Sequence, residues 1–132
     1  MRQVEMLSYS DCQLHEKGHE LIREIEQRLG GSNAGSNYDL VLSHAQGDSH
    51  ADHRTAHEST LSAVRDFQGT VLLYQSPSVK PNGFHPTFFP RLEEVDMDRK
   101  DLSIQAHTSQ RHRIYTRVSR TRGLADNWSI YL

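Results

Sequence analysis

The chain has 132 residues, 15 basic and 17 acidic side chains and a formal net charge of −2, which suits one ordinary domain and excludes a general electrostatic attraction to nucleic acid or anionic membranes. No apolar run approaches the roughly 20 residues of a membrane span, and MRQVEMLSYSD carries no basic-then-apolar export signal. A single cysteine, Cys12, cannot form an internal disulfide, which points to a reducing, cytoplasmic setting.

Residues 3–9 (QVEMLSY) read as a short strand with Val4 and Met6 inward, ended by the turn residues Ser10 and Asp11. From Leu14 to Leu29 the pattern turns helical, with Leu14, Leu21, Ile22, Ile25 and Leu29 recurring at helical spacing. Gly30 and Gly31 stop it, and GGSNAGSN reads as a surface loop. YDLVLS, Tyr38 to Ser43, is an apolar run suited to a strand covered on both faces. A helix is predicted from about Ser49 to Phe67, with Ala56, Thr60, Leu61, Val64 and Phe67 toward the core. Gly69 then resets the chain into TVLLY, a second buried strand. SPSVKPNGFHPTFFPR, rich in proline and glycine, is a long irregular excursion.

LEEVDM is predicted as a last short strand, and Asp98 as the start of a helix carrying Leu102, Ile104 and Ala106. RHRIYTRVSRTRG suits a further helix ended by Gly123. Its Arg113, Arg117 and Arg120 stripe reads as a solvated face, because the chain has neither a basic excess nor an aromatic platform for nucleic acid. The alternation of strands and helices is that of an α/β protein with parallel strands joined by right-handed crossovers.

Nine histidines are many for this length, and five lie between His15 and His53. In GDSHADHRTAHEST, Gly47 to Thr60, His50, His53 and His57 fall on one helical stripe, with Asp48 and Asp52 among them. The segment follows the YDLVLS strand, where α/β sheets bind ligands. Asp52 could hydrogen-bond an imidazole and fix its tautomer. Zinc suits such donors, but a catalytic zinc site takes three protein ligands plus a water, and two histidines three residues apart supply only part of that set. Spacing alone leaves a metal site and a polar helix start both open, and puts His57, a turn further on, at the helix surface.

SHAQGDSHADHR, followed by an apolar helix and TVLLY, is similar to the second signature of the LmbE-like (PIG-L-type) N-acetylglucosamine deacetylases, a His, several polar residues, then Asp-x-His-x-Asp-His. LSYSDCQL resembles that family's strand-end segment with Asp-Gly-x-Leu, and GFHPTFFPRLEEVDMDRKDLSIQAHTSQ resembles its Phe-x-Pro, strand, Asp-x-x-x-Lys and His-x-Ser-Gln run. The similarity extends over nearly all of the chain. It implies a Rossmann-like three-layer α/β sandwich with a mostly parallel sheet, here as one partial domain over residues 1–132. It also implies a zinc-dependent hydrolase that removes acetyl from an N-acetylglucosamine-like amino sugar or conjugate.

Carried over by position, His53 is the zinc ligand, His50 polarises or protonates the reacting amide, and Asp52 orients His50. Asp11 lies near the sugar-binding rim, where the usual following glycine is Cys12. His107, Ser109 and Gln110 match a structural or rim-forming segment. The family's first signature, Ala-His-Pro-Asp-Asp-Glu, brings two more zinc ligands and the catalytic base, and it does not occur here: His85-Pro86 is followed by Thr87 and Phe88. The chain is therefore expected to correspond to the family from its third strand onward, leaving an apolar sheet edge. Activity then needs a complementing chain or a homo-oligomer. The alternatives are an inactive remnant or binding module, and a site in which His44, His50, His53 or His57 replaces the lost ligands.

Overall fold

Strands β1 (Leu40–His44) and β2 (Thr70–Tyr74) pair in parallel, in register from Leu40 opposite Thr70 to His44 opposite Tyr74. This computed structural model describes residues 4–30, 38–80, 82–110 and 112–129. They fall in two compact units, Met1–His85 and Pro86–Leu132.

In the first unit the order is α1 (Gly18–Arg28), β1, α2 (Ala51–Ala63) and β2, so α2 is the crossover that parallel pairing requires. Gly69 starts β2 because nothing larger fits: an added Cβ would lie 2.6 Å from the Asp39 carbonyl, which accepts the Thr70 amide at 2.9 Å. Side chains alternate across the sheet. Ser43 points toward α2, where its hydroxyl donates to Thr60 Oγ1 at 3.1 Å in a buried contact. On the other face Leu40 is 47% and Leu42 60% exposed, so β1 is covered on one side rather than on both, among the described residues.

Leu21 of α1 is buried, with Ile22, Ile25 and Leu29 half-buried, as the helical spacing predicts, and a short 3-10 turn (Leu14–Lys17) leads into the helix. α1 packs on α2 through a polar contact, Ser59 Oγ donating to the Gly18 carbonyl at 3.3 Å. The buried residues of α2 are His57, Ser59 and Thr60, whereas Leu61, expected inward, is exposed. This helix meets its neighbours through hydroxyls and an imidazole rather than an aliphatic stripe.

The strand expected over residues 3–9 does not form over 4–9, where Val4 and Met6 are 85% and 86% exposed and no second strand among the described residues takes up their backbone groups. Gln3 and the expected loop residues 31–37 lie outside the described residues. Residues 75–93, apart from residue 81, contain no helix or strand, in keeping with their proline and glycine content.

In the second unit, α3 (Glu94–Ala106) begins inside LEEVDM, so the expected strand there is the first turn of a helix. A capping box sets that start: the Glu93 side chain accepts the Asp96 amide, and Asp96 Oδ2 accepts the Glu93 amide at 3.1 Å. α4 (Val118–Ser129) runs through Gly123 instead of ending there, and the preceding Ile114–Thr116 is a 3-10 turn. Arg122 of α4 ties to α3, donating from Nε to Asp101 at 2.8 Å and from Nη2 to Asp98 at 2.6 Å, with Glu94 as a third partner. The described architecture is mixed α/β: four helices and a two-stranded parallel sheet with a β-α-β connection. No helix among the described residues is long and apolar enough to cross a membrane.

Candidate functional site

β1 ends at His44, and the loop leading into α2 carries Asp48 inward to 1% exposure. The loop leaving β2 meets it: the Ser49 amide donates to the Ser78 carbonyl at 2.9 Å, and the Lys80 amide to the Gly47 carbonyl at 2.9 Å. Both loops lie at the carboxyl ends of parallel strands, the position where such sheets bind ligands. Buried charge requires hydrogen-bonding partners, and Asp48 has four donors. Oδ1 accepts from Ser78 Oγ at 2.6 Å and from the His50 amide at 2.8 Å; Oδ2 accepts from Ser76 Oγ and from His53 Nδ1, the latter at 2.8 Å. Burial disfavours the charge, but the serine hydroxyls, then the His50 amide and the His53 ring, outweigh it and hold the Asp48 carboxyl well below the usual carboxylate range.

Three imidazoles stack beside this carboxylate. The His53 ring lies 3.9 Å from that of His44, with 11° between planes, and 4.6 Å from that of His50, with 27° between planes. His50 is the N-cap of α2, and its Nδ1 accepts the Asp52 amide at 3.3 Å. His44 Nε2 lies 3.0 Å from the Tyr74 hydroxyl, while His44 Nδ1 is buried without a partner among the described residues. Burial first, and then the neighbouring His53 ring, push the His44 pKa below its ordinary value, with Asp48 acting in the opposite sense. His57 is buried at 5% exposure, and its Nδ1 donates to the His44 carbonyl at 2.8 Å, so it caps the end of β1 rather than lying on the helix surface.

The remaining expected site residues gather on the other side of His50. Asp11, Cys12, His50 and Asp52 each place a donor atom within 4.8 Å of the others. The Asp52 carboxylate receives the Cys12 amide at 2.7 Å and the Leu14 amide at 3.1 Å, so it anchors the segment before α1, and it is the Asp52 amide that orients His50. Cys12 sits at φ 61°, a left-handed conformation that favours glycine. The Asp11 charge, followed by burial and Asp52, raises the Cys12 thiol pKa. Of the four residues singled out by sequence, Asp11, His50 and Asp52 stand together, and His53, in the group with His44 and Asp48, meets them through the ring of His50. His107 and Ser109 are exposed in the second unit, and the Gln110 side chain lies outside the description.

Asp48 and its partners Ser76 and Ser78 were assigned no role on the sequence alone. Asp48 is the first acid of the Asp-x-His-x-Asp-His pattern, and its burial was the missing clue. The serines were signalled only by their place just after a parallel strand.

His44, Asp48 and His53 also place donor atoms within 4.8 Å of one another. Their chemistry is uneven as a zinc set. His53 has Nδ1 engaged by a carboxylate and Nε2 left for a metal, the usual arrangement of a zinc-bound histidine. Asp48 has its four acceptor positions filled. The His44 and His53 ring planes are almost parallel, so in-plane lone pairs from both rings converge poorly on one ion about 2.0–2.1 Å from each nitrogen. His53 fits a zinc ion as a ligand, and the described residues do not complete its set. No protein-family model, curated protein or solved structure matches this chain.

Proposed function

We propose that the chain is a zinc-dependent deacetylase-type hydrolase of the LmbE-like kind, built on a Rossmann-like three-layer sandwich and acting on an N-acetylglucosamine-like amino sugar or conjugate. It is active only when the Ala-His-Pro-Asp-Asp-Glu segment is supplied. The observation that carries this reading is the stacking of His50 and His53 with their Nδ1 atoms on opposite kinds of partner. His50 Nδ1 accepts from a backbone amide and His53 Nδ1 donates to a carboxylate, so in the neutral rings Nε2 of His50 carries the proton and Nε2 of His53 the lone pair. A hydrogen-bond donor and a metal ligand thus stand side by side, as amide hydrolysis needs.

A bound zinc ion supplies polarisation of the acetamide carbonyl and an acidified water. His53 Nε2 is the ligand this chain contributes. His50 Nε2–H donates to the amide oxygen as negative charge develops there, or to the departing amine. Asp52 sets the His50 tautomer through its backbone amide. Asp11, exposed beside His50, accepts from a sugar hydroxyl at the rim. The left-handed Cys12 is in keeping with the match of LSYSDCQL to Asp-Gly-x-Leu, since glycine is the residue that adopts that conformation most readily.

The test is zinc binding by the full chain and by His53→Ala, together with acetate release from N-acetylglucosamine conjugates when a second chain carrying the Ala-His-Pro-Asp-Asp-Glu segment is added. Zinc binding lost in the variant, and acetate released only from the mixture, support the reading. Zinc binding unaffected by His53→Ala overturns it. A second reading, an inactive binding module of the same fold, is favoured by one observation: Asp48, the carboxylate beside His53, has both oxygens engaged by donors of the protein itself. A mixture that binds the saccharide and releases no acetate would select it.

A further inference from the structure

The Asp48 carboxylate is an unusual group to bury beside a metal ligand, because it could itself bind the ion. Its hydrogen bonds argue otherwise. Each oxygen already receives two donors: Ser78 Oγ and the His50 amide on Oδ1, Ser76 Oγ and His53 Nδ1 on Oδ2. A carboxylate offers about four lone-pair sites, so an ion could reach Asp48 only by displacing a donor at a group that is 1% exposed. The same saturation fixes His53. An acceptor-only group opposite Nδ1 demands a proton there, which in the neutral ring leaves the lone pair on Nε2. The rings of His44 and His50 both stack on that of His53, with centroids 3.9 and 4.6 Å away. Rotation within the plane is set by Asp48 and tilt by the stack, so the direction of Nε2 is settled before any ion arrives.

The serines give the lock its rigidity. Ser76 Oγ and Ser78 Oγ lie 3.0 Å apart, the Ser78 amide donates to Ser76 Oγ at 3.3 Å, and the loop is pinned to the Asp48 segment by the isolated Asp48–Val79 bridge. The carboxylate therefore cannot turn to offer His53 a different atom without breaking contacts to the loop that follows β2.

We propose that Asp48, caged by Ser76 and Ser78, is a positioning residue that locks His53 in its Nδ1–H tautomer and aims Nε2 at a divalent metal ion, without itself contacting the ion. This rests on the zinc reading above, and two separate measurements keep the two apart. The first is the tautomer of His53 in the metal-free full chain, read from two-bond nitrogen–proton correlations of histidine-labelled protein. Nδ1 is expected to show a protonated signature and Nε2 an unprotonated one. In Asp48→Asn the preference is expected to relax toward a mixture or reverse, since an amide can donate to Nδ1. In Ser78→Ala, which keeps the carboxylate, the tautomer is expected to stay.

The second measurement is zinc affinity by competition with a chromophoric chelator. Asp48→Asn is expected to bind zinc about 10–100-fold more weakly than the wild type. A dominant Nε2–H tautomer in the wild type overturns the proposal even if zinc binds, and so does an unchanged tautomer in Asp48→Asn. Zinc binding that is absent from the wild type, or independent of His53, overturns the zinc reading and the metal step with it. Should Asp48→Asn not fold, the wild-type tautomer decides.

Discussion

The backbone amide of Cys12 donates to Oδ2 of Asp52 at 2.7 Å, across 40 residues of sequence. With the Leu14 amide on Oδ1, this makes Asp52 the clasp between the segment that leads into α1 and the first turn of α2. The carboxylate also sits where the α2 dipole favours negative charge. Asp52→Ala is expected to cost about 1–2 kcal/mol, because two amides lose a charged acceptor but regain water at a partly exposed site. Faster hydrogen exchange at Cys12 and Leu14, with the α2 interior unchanged, is the expected signature. Unaltered exchange at those two amides would refute the clasp.

Cys12 itself carries a conformational cost. At φ 61° a side chain with a Cβ is disfavoured by roughly 1–2 kcal/mol. Cys12→Gly removes that strain while adding entropy to the unfolded chain, so it is expected to be neutral or slightly stabilising in a thermal melt. Cys12→Val, branched at Cβ, is expected to destabilise clearly. A melt in which valine matches glycine would mean that this turn does not need the left-handed residue.

The pH dependence of stability follows from two groups near the stack. Asp48 has its folded-state pKa depressed, so its contribution is fully present above the ordinary aspartate value of about 3.9 and is lost as pH falls below it. His44 is also depressed, by burial first; the unfolded chain takes up that proton more readily, so stability also falls as pH drops through about 6.5. Urea denaturation from about pH 8 to about pH 3 is expected to show two successive losses. His44→Gln should flatten the first and Asp48→Asn the second. A profile level down to about pH 4 in the wild type would contradict the assignment of the first loss to His44.

The order of these elements was legible because both strands are short apolar runs bounded by turn residues, and because α1 repeats aliphatics at helical spacing. Local spacing links His50, Asp52 and His53, whereas the approach of Asp11 to His50 and Asp52 spans about 40 residues and no local pattern signals it. Elsewhere local pattern misled. Val95 and Met97 alternate as in a strand, yet Glu93 and Asp96 cap each other and start a helix instead, with Val95 51% exposed and Met97 buried. Val4 and Met6 alternate too, but a strand needs a neighbour for its amides, and none of the described residues supplies one. His57 looked like surface because nothing local shows that the carbonyl ending β1 needs a donor 13 residues later. Ser76 and Ser78 are legible only after Asp48 is known to be buried, since their contacts span 28 and 30 residues.

Arg122 joins α3 and α4 through partners of very different exposure. The side chains of Glu94 and Asp98 are 77% and 61% exposed, whereas that of Asp101 is 8% exposed and also accepts Thr121 Oγ1 at 3.2 Å. Salt screens the first two contacts far more than the third. Arg122→Ala is expected to cost about 1.5–3 kcal/mol, mostly by stranding the Asp101 carboxylate. Arg122→Lys should recover only part of this, because an ammonium cannot span several acceptors in a planar fork. The loss should persist in high salt; a penalty that vanishes with added salt would place the energy in the exposed pairs.

Gly47 opens the segment that carries Asp48, and its lack of a side chain is a packing requirement. A Cβ there would fall on the Gly83 carbonyl and lie 2.5 Å from the Gly83 Cα, where both neighbours are backbone and neither can turn aside. The close approach lets the Lys80 amide reach the Gly47 carbonyl at 2.9 Å, which holds the loop bearing Ser76 and Ser78 against Asp48. Gly47→Ala must therefore push the two loops apart. Overpacking of this kind costs about 1–3 kcal/mol, and the displacement should weaken the hydrogen bonds around Asp48 before it affects α1. The expected result is a lower melting temperature together with broadened His53 ring signals, while Gly123→Ala, where an added Cβ meets nothing within 4 Å, leaves both unchanged or raises the melting temperature. Sharp, unshifted His53 signals in Gly47→Ala would show that the imidazole stack keeps its geometry without this loop contact.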